Sequence, residues 1–130
     1  MVDKFIGDAC MAIFNSPLMI DEHEKRAVAC GRDMRTAIKM LQKDLSEPIA
    51  IGIGINTGEA VIGNMGSSTR FDYSAIGDAV NVAARLESAT KGAGVDMLIG
   101  ETTADKVEDV SYVGSIVVKG KEQPLKVYTI

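Results

Sequence analysis

The chain has 130 residues, with 14 Lys and Arg against 18 Asp and Glu, a formal net charge of −4, and one histidine. The length fits one domain, and 46% hydrophobic with 25% charged residues is an ordinary globular balance able to bury one core. The mild acidity argues against a nucleic-acid binder, no run reaches the ~18 apolar residues of a membrane span, and two cysteines are too few for a disulfide scaffold. Cys10 and Cys30 both lie in apolar segments, so the chain reads as a reduced, cytoplasmic protein.

Val2–Ile6 and residues 9–14 are short apolar runs separated by Gly7-Asp8, the pattern of a two-residue hairpin. The second run is continuously apolar, as in a strand covered on both faces. Asp21 followed by Glu24 resembles a capping box. Behind it Ala27, Cys30, Met34, Ala37/Ile38, Leu41 and Leu45 recur at helical spacing, until Pro48 stops the helix. Residues 49–56 alternate strictly, with isoleucines on one face and Ala50, Gly52 and Gly54 on the other. Such a strand keeps one face bare so that something packs or binds closely against it.

Strands are predicted over 59–64 and 71–76, on either side of a Gly/Ser loop. A second helix follows Gly77-Asp78 and ends near Gly92, a plausible C-cap. Ala79, Val82/Ala83, Leu86 and Ala89 form its apolar stripe, while Asp78, Asn81, Arg85 and Ser88 form a polar one. A strand over 97–99, a helix over 102–108 and a pair of strands over 113–118 and 125–130 complete the chain. Hairpins outnumber helical crossovers, which predicts an α+β sandwich with a mostly antiparallel sheet.

Several familiar motifs fail. Gly52-Ile53-Gly54 lacks the third glycine and the following helix of a dinucleotide-binding turn. Gly114 to Lys121 lacks the P-loop spacing, and no Cys/His metal cluster is present. The lone His23, in an acidic helix start, reads as a solvated surface residue with no nucleophile partner.

Other segments agree with one another. They are the Val2–Ile6 strand with Lys4, its turn and Asp8; Ile53-Gly54-Ile55-Asn56-Thr57-Gly58-Glu59; and Gly63-Asn64-Met65-Gly66. Residues 71–87 follow, with Ser74, Asn81 and Arg85, and then Val118-Lys119-Gly120-Lys121. In this order and spacing the set resembles the catalytic domain of class III nucleotidyl cyclases, the adenylate and guanylate cyclases, over essentially the whole chain.

That resemblance implies an α+β fold with a ferredoxin-like βαβ core and a mostly antiparallel sheet packed by helices. It also implies a domain over 1–130 that lacks the family's first strand, two helices and first metal-binding aspartate, so that little or no activity is expected of this chain alone. The implied reaction is attack of the 3′-hydroxyl of a nucleoside triphosphate on its own α-phosphorus, giving a 3′,5′-cyclic nucleotide and pyrophosphate. Asp8 would hold Mg2+ or Mn2+, Asn81 would orient the ribose, and Arg85 would stabilise the transition state. Lys119 would contact the terminal phosphates.

Guanylate cyclases of the family carry Glu where Lys4 stands. Lys4 can only donate hydrogen bonds, so with Ser74 it favours ATP. A hydroxyl at Ser74 in place of the Asp of the best-known adenylate cyclases resembles the subgroup linked to bicarbonate stimulation. The resemblance further implies a homodimer with shared sites and an upstream sensor or regulatory domain. The alternative is a non-catalytic homologue that serves dimerisation or nucleotide sensing.

Overall fold

The structure is a computed structural model. It describes residues 2–6, 9–16, 18–64, 73–118 and 123–130, with the backbone alone for 2–6, 64, 73 and 74. Among the described residues, eight strands and three helices follow in the order β1 (Val2–Ile6), β2 (Ala9–Ala12), α1 (His23–Gln42), β3 (Ile53–Ile55), β4 (Val61–Asn64), β5 (Tyr73–Ile76), α2 (Asp78–Ala93), β6 (Met97–Gly100), α3 (Glu101–Ala104), β7 (Ser111–Ile116) and β8 (Leu125–Thr129). This is the predicted order, and the fold is the expected mixed α+β architecture.

A four-stranded sheet in the order β3-β6-β8-β7 forms the centre, with β1-β2 and β4-β5 as separate antiparallel ribbons. Among the described residues only β3 and β6 pair in parallel, and α2 lies in the connection between them. The Ile6↔Ala9 register leaves two residues between β1 and β2, as a tight hairpin requires.

Period-2 alternation splits the central sheet's side chains between two cores. Ile53, Ile55, Met97 and Ile99 point to the face covered by Val28 of α1. Leu98 and Val127 point to the opposite face, with Val82 and Leu86 of α2. The bare face of β3 is the seat of α2. A Cβ on Gly54 would lie 3.0 Å from Leu86 Cβ and still closer to the backbone at Ala83 and Glu87, and one on Gly52 would lie 3.0 Å from the Glu87 carbonyl oxygen.

Several local expectations are corrected. β3 covers only the second half of 49–56, because its partner β6 begins at Met97 and the first cross-strand bond runs from Ile53 N–H to the Asp96 carbonyl at 2.8 Å. The capping box does not form. Glu22 is the N-cap, in a left-handed conformation without a side-chain cap bond, and Glu24 turns instead to His23 at 3.4 Å. α1 ends at Gln42, well before Pro48. There the Gln42 amide folds back on the chain, donating to the Glu47 carbonyl at 2.9 Å and accepting from Ile49 N–H at 2.7 Å.

The apolar stripe of α1 is only half used by the sheet. Val28 and Gly31 are its buried residues, whereas Met34 and Leu41 remain 42% and 49% exposed. Arg35 fixes the helix azimuth with a bidentate pair to Asp96, at 2.8 and 2.7 Å. β2 is not covered on both faces: Ala9, Cys10 and Ala12 are exposed, and the strand walls a cleft instead of entering a core. The third helix is one turn, Glu101–Ala104, and starts ahead of the predicted 102–108.

α2 runs past Gly92 to Ala93, and its C-cap is Gly94 at φ +71°, a conformation that disfavours a Cβ. Gly92 is an interior helical residue with open space around it. Gly92→Ala is therefore expected to stabilise the domain by about 0.5–1 kcal/mol, and Gly94→Ala to destabilise it by about 1 kcal/mol. Gly54→Ala, which drives a methyl into helix backbone, is expected to cost about 2–3 kcal/mol. Denaturant unfolding of the three variants checks the set. A loss at Gly92 equal to that at Gly94 would show that the helix ends earlier.

Candidate functional site

Two of the sequence-predicted site residues have described side chains, and both stand on α2. Val82 and Leu86 are buried against the sheet, so the remaining positions of the helix turn outward. Asp78, Asn81, Arg85 and Ser88 are all exposed, as the polar stripe predicted. Asn81 and Arg85 are one helical turn apart, which brings their side-chain origins to about 5–6 Å. No hydrogen bond or ion pair joins either side chain to another described residue, so both are free to meet a ligand.

Lys4 and Ser74 lie on neighbouring strands. Lys4 is in β1 opposite Met11 of β2, and Ser74 is in β5 opposite Gly63 of β4. β1 runs beside β5, which brings the two backbone positions to one side of the domain. Asp8, Lys119 and Lys121 lie outside the described residues. Among the described residues no three or more His, Cys, Asp or Glu side chains form a group able to hold a metal ion, so these residues alone do not make a metal centre.

A cleft of about 450 Å3 separates the β2 side of the domain from the central sheet. Its lining includes Cys10 and Phe14 from the β2 segment, Cys30 and Met34 from α1, and Ile55 and Asn56 from the β3 end. His23 also lines it and is half-buried, not solvated as a lone surface histidine would be. Neither Asn81 nor Arg85 belongs to this lining.

The Asn56-Thr57 segment is a polar junction. Asn56 Nδ2 donates to the Ala79 carbonyl of α2 at 3.0 Å. Thr102 Oγ1 donates to the Thr57 carbonyl at 2.7 Å and lies 3.4 Å from Asn56 Oδ1. The Thr57 hydroxyl shares a 2.7 Å hydrogen bond with that of Thr103, which is fully buried. The end of β3, the start of α2 and the short α3 are thereby tied together. No sequence pattern announces these pairings, since they join residues 23 to 46 positions apart.

Comparison with known proteins agrees with this architecture. The family model described as the adenylate and guanylate cyclase catalytic domain matches residues 3–130. An adenylate cyclase of Anabaena cylindrica is 33% identical over 143 residues, a match that takes in 99% of this chain and 28% of that protein. The chain thus spans little more than a quarter of that relative's length. Among solved structures, the adenylyl cyclase CyaB from P. aeruginosa superposes with a TM-score of 0.87 at 36% identity, over 98% of this chain and 69% of that one. The guanylyl cyclase Cya2 superposes with a TM-score of 0.87 at 32% identity, over 98% of this chain and 68% of that one. A domain-wide model match and likenesses over nearly its whole length place the chain in one family: it belongs to the adenylate and guanylate cyclase catalytic domains.

Proposed function

We propose that the protein carrying this chain is an adenylate cyclase. The 3′-oxygen of ATP attacks the α-phosphorus, the bond from that phosphorus to the β-phosphate bridge breaks, and pyrophosphate leaves as the hydroxyl proton passes to solvent. The observation that carries the reading is the pair Asn81 and Arg85. They are exposed, without described partners and one turn apart on a helix that is otherwise locked to the sheet. A ribose-directing amide beside a guanidinium with no partner among the described residues suits a transition state in which charge builds on phosphate oxygens. Lys119 is assigned to the terminal phosphates. Asp8 is assigned to Mg2+ or Mn2+, whose chemistry is to activate the hydroxyl and neutralise phosphate charge.

The choice of base does not come from the fold, because an adenylyl and a guanylyl cyclase superpose equally well. It falls to Lys4 and Ser74. Lys4 offers only donors, which suits the N1 acceptor of adenine and opposes the N1 and N2 donors of guanine. The Ser74 hydroxyl can accept from the adenine amino group.

Two copies of the chain sharing sites is the assembly we assign. Val61 and Ile76 face each other across the β4–β5 ribbon and are 68% and 56% exposed, an apolar pair suited to cover by a second copy. Among the described residues no helix is long and apolar enough to cross a membrane. We place the domain in the cytoplasm, where ATP is abundant, and assign the control of activity to a sensor elsewhere in the protein.

Cyclic AMP and cyclic GMP formation with Mn2+, measured on this chain and on a version extended upstream, tests the reading. The extended form is expected to make cyclic AMP, and the chain alone little or none. Inactivity of the extended form with both nucleotides would leave only the non-catalytic alternative. Arg85→Ala is expected to lower kcat by about 10²–10³-fold, on the scale of losing one transition-state donor. The same variant should keep its unfolding free energy within about 0.5 kcal/mol, because an exposed, unpaired side chain supports no packing.

Lys4→Glu combined with Ser74→Cys is expected to shift the preference from ATP toward GTP, read as the ratio of kcat/KM values. An unchanged ratio would refute the assignment of base choice. Val61→Asp is expected to shift the active form toward monomer in sedimentation, with activity falling in parallel.

A further inference from the structure

We infer that Asn56 is a positioning residue for catalysis, acting through the first turn of α2 on Asn81. The inference rests on the cyclase reading for its catalytic consequence, but the geometry itself is independent of it.

The middle of α2 is held by packing. Leu86 and Val82 are buried, and the glycine face of β3 lets the helix backbone approach the strand. Apolar burial is non-directional, so it sets the distance of the helix from the sheet more firmly than the azimuth and axial position of its free end. The first turn has no side-chain cap of its own, because its N-cap is Gly77. Asn81 stands at the end of that turn, its N–H bonded to the Gly77 carbonyl at 3.2 Å.

Asn56 supplies a directional contact from the sheet. Its amide donates to the carbonyl of Ala79, two residues before Asn81, at 3.0 Å. The orientation of the amide is determined, since the reverse placement would set two carbonyl oxygens against each other. The side chain is itself confined. A Cβ on Gly100 would collide with Asn56 Oδ1, and Thr102 closes the remaining side. Asn56 follows directly on Ile55, whose side chain is part of the sheet core, so the donor is anchored next to that core. The sheet thereby dictates where the first turn of α2 ends, and with it where Asn81 presents its amide. Displacement of a reacting group by about 1 Å can cost on the order of 10²-fold in rate, so a single directional bond two residues away is enough to matter.

The test compares Asn56→Asp and Asn56→Ala with the parent, in the protein carrying this domain in its natural sequence context. Asp is nearly isosteric but cannot donate when ionised, and Ala removes both polar atoms. Both variants are expected to lower kcat for cyclic AMP formation at least tenfold while KM for ATP stays within threefold. Amide hydrogen exchange is expected to speed up over residues 80–83 and to remain unchanged over residues 86–90, with thermal unfolding still cooperative.

Faster exchange along the whole of α2, or a kcat loss matched by a general loss of folded protein, would make Asn56 a structural residue and overturn the proposal. Unchanged kcat with locally faster exchange would overturn it as well. If the parent itself makes no cyclic nucleotide, the cyclase reading fails on its own. A local exchange change in the Asn56 variants would then still support the physical coupling between Asn56 and the first turn.

Discussion

The approach of α2 to the bare face of β3 is the constraint on which the rest of the domain depends. Two glycines remove the side chains that would hold helix and strand apart, and Leu86 then reaches the sheet with its whole side chain buried. Because α2 connects to β6, and β6 pairs in parallel with β3, the same contact sets the helix over both of these paired strands. It also decides which face of α2 looks outward. The residues opposite Val82 and Leu86 must be exposed, and those are the polar stripe with Asn81 and Arg85. Packing of the core and presentation of the candidate catalytic pair are therefore one event.

The second face of the sheet solves a different problem. Val28 and Gly31 bring α1 against Met97 and Ile55, and Arg35 clamps it to Asp96, which lies just before β6. This pair is only partly shielded from solvent, so its main contribution is geometric: a fork-on-fork contact permits one azimuth. With that azimuth fixed, the helix turns Cys30 and Met34 toward β2 instead of the sheet, and the cleft between β2 and β3 results. The half-buried stripe of α1 is thus the consequence of one helix serving two neighbours.

Much of this was legible in the sequence. Isoleucine–glycine alternation over 49–56 identified both a strand and a close packing face, because a period of two with one face empty has few other physical meanings. Leucine and valine spacing in α2 identified its buried side, and hence by complement Asn81 and Arg85. The errors have a common cause. The capping box at Asp21, the C-cap at Gly92 and the strand from residue 49 were all read from local preference, whereas the structure settles each by a partner far along the chain or by one alternative residue nearby. β3 starts where β6 can pair with it, and Gly94 caps α2 because the helix does not end at the first glycine available. The Asn56 junction was invisible for the same reason. Asparagine after a strand is an ordinary turn residue, and only the folded chain shows that its amide meets Ala79.

Substrate choice stands apart from all of these. The main chain follows an adenylyl and a guanylyl cyclase with the same TM-score, so nothing in the path of the backbone can separate the two bases. Discrimination must then reside in the donor and acceptor inventory of a few side chains, and the fold's part is to supply fixed places for them. On the proposed reading Lys4 and Ser74, on neighbouring strands, would carry that inventory. On the same reading the reacting end of the nucleotide is assigned to a helix, which offers two side chains one turn apart at a constant spacing. Strands assigned to the base and a helix assigned to the ribose and phosphate would have to keep their mutual placement through the reaction. The β3 layer is joined to the helix both by packing and by the Asn56 amide, so the placement of Asn81 and Arg85 is referred to the same sheet that holds the core.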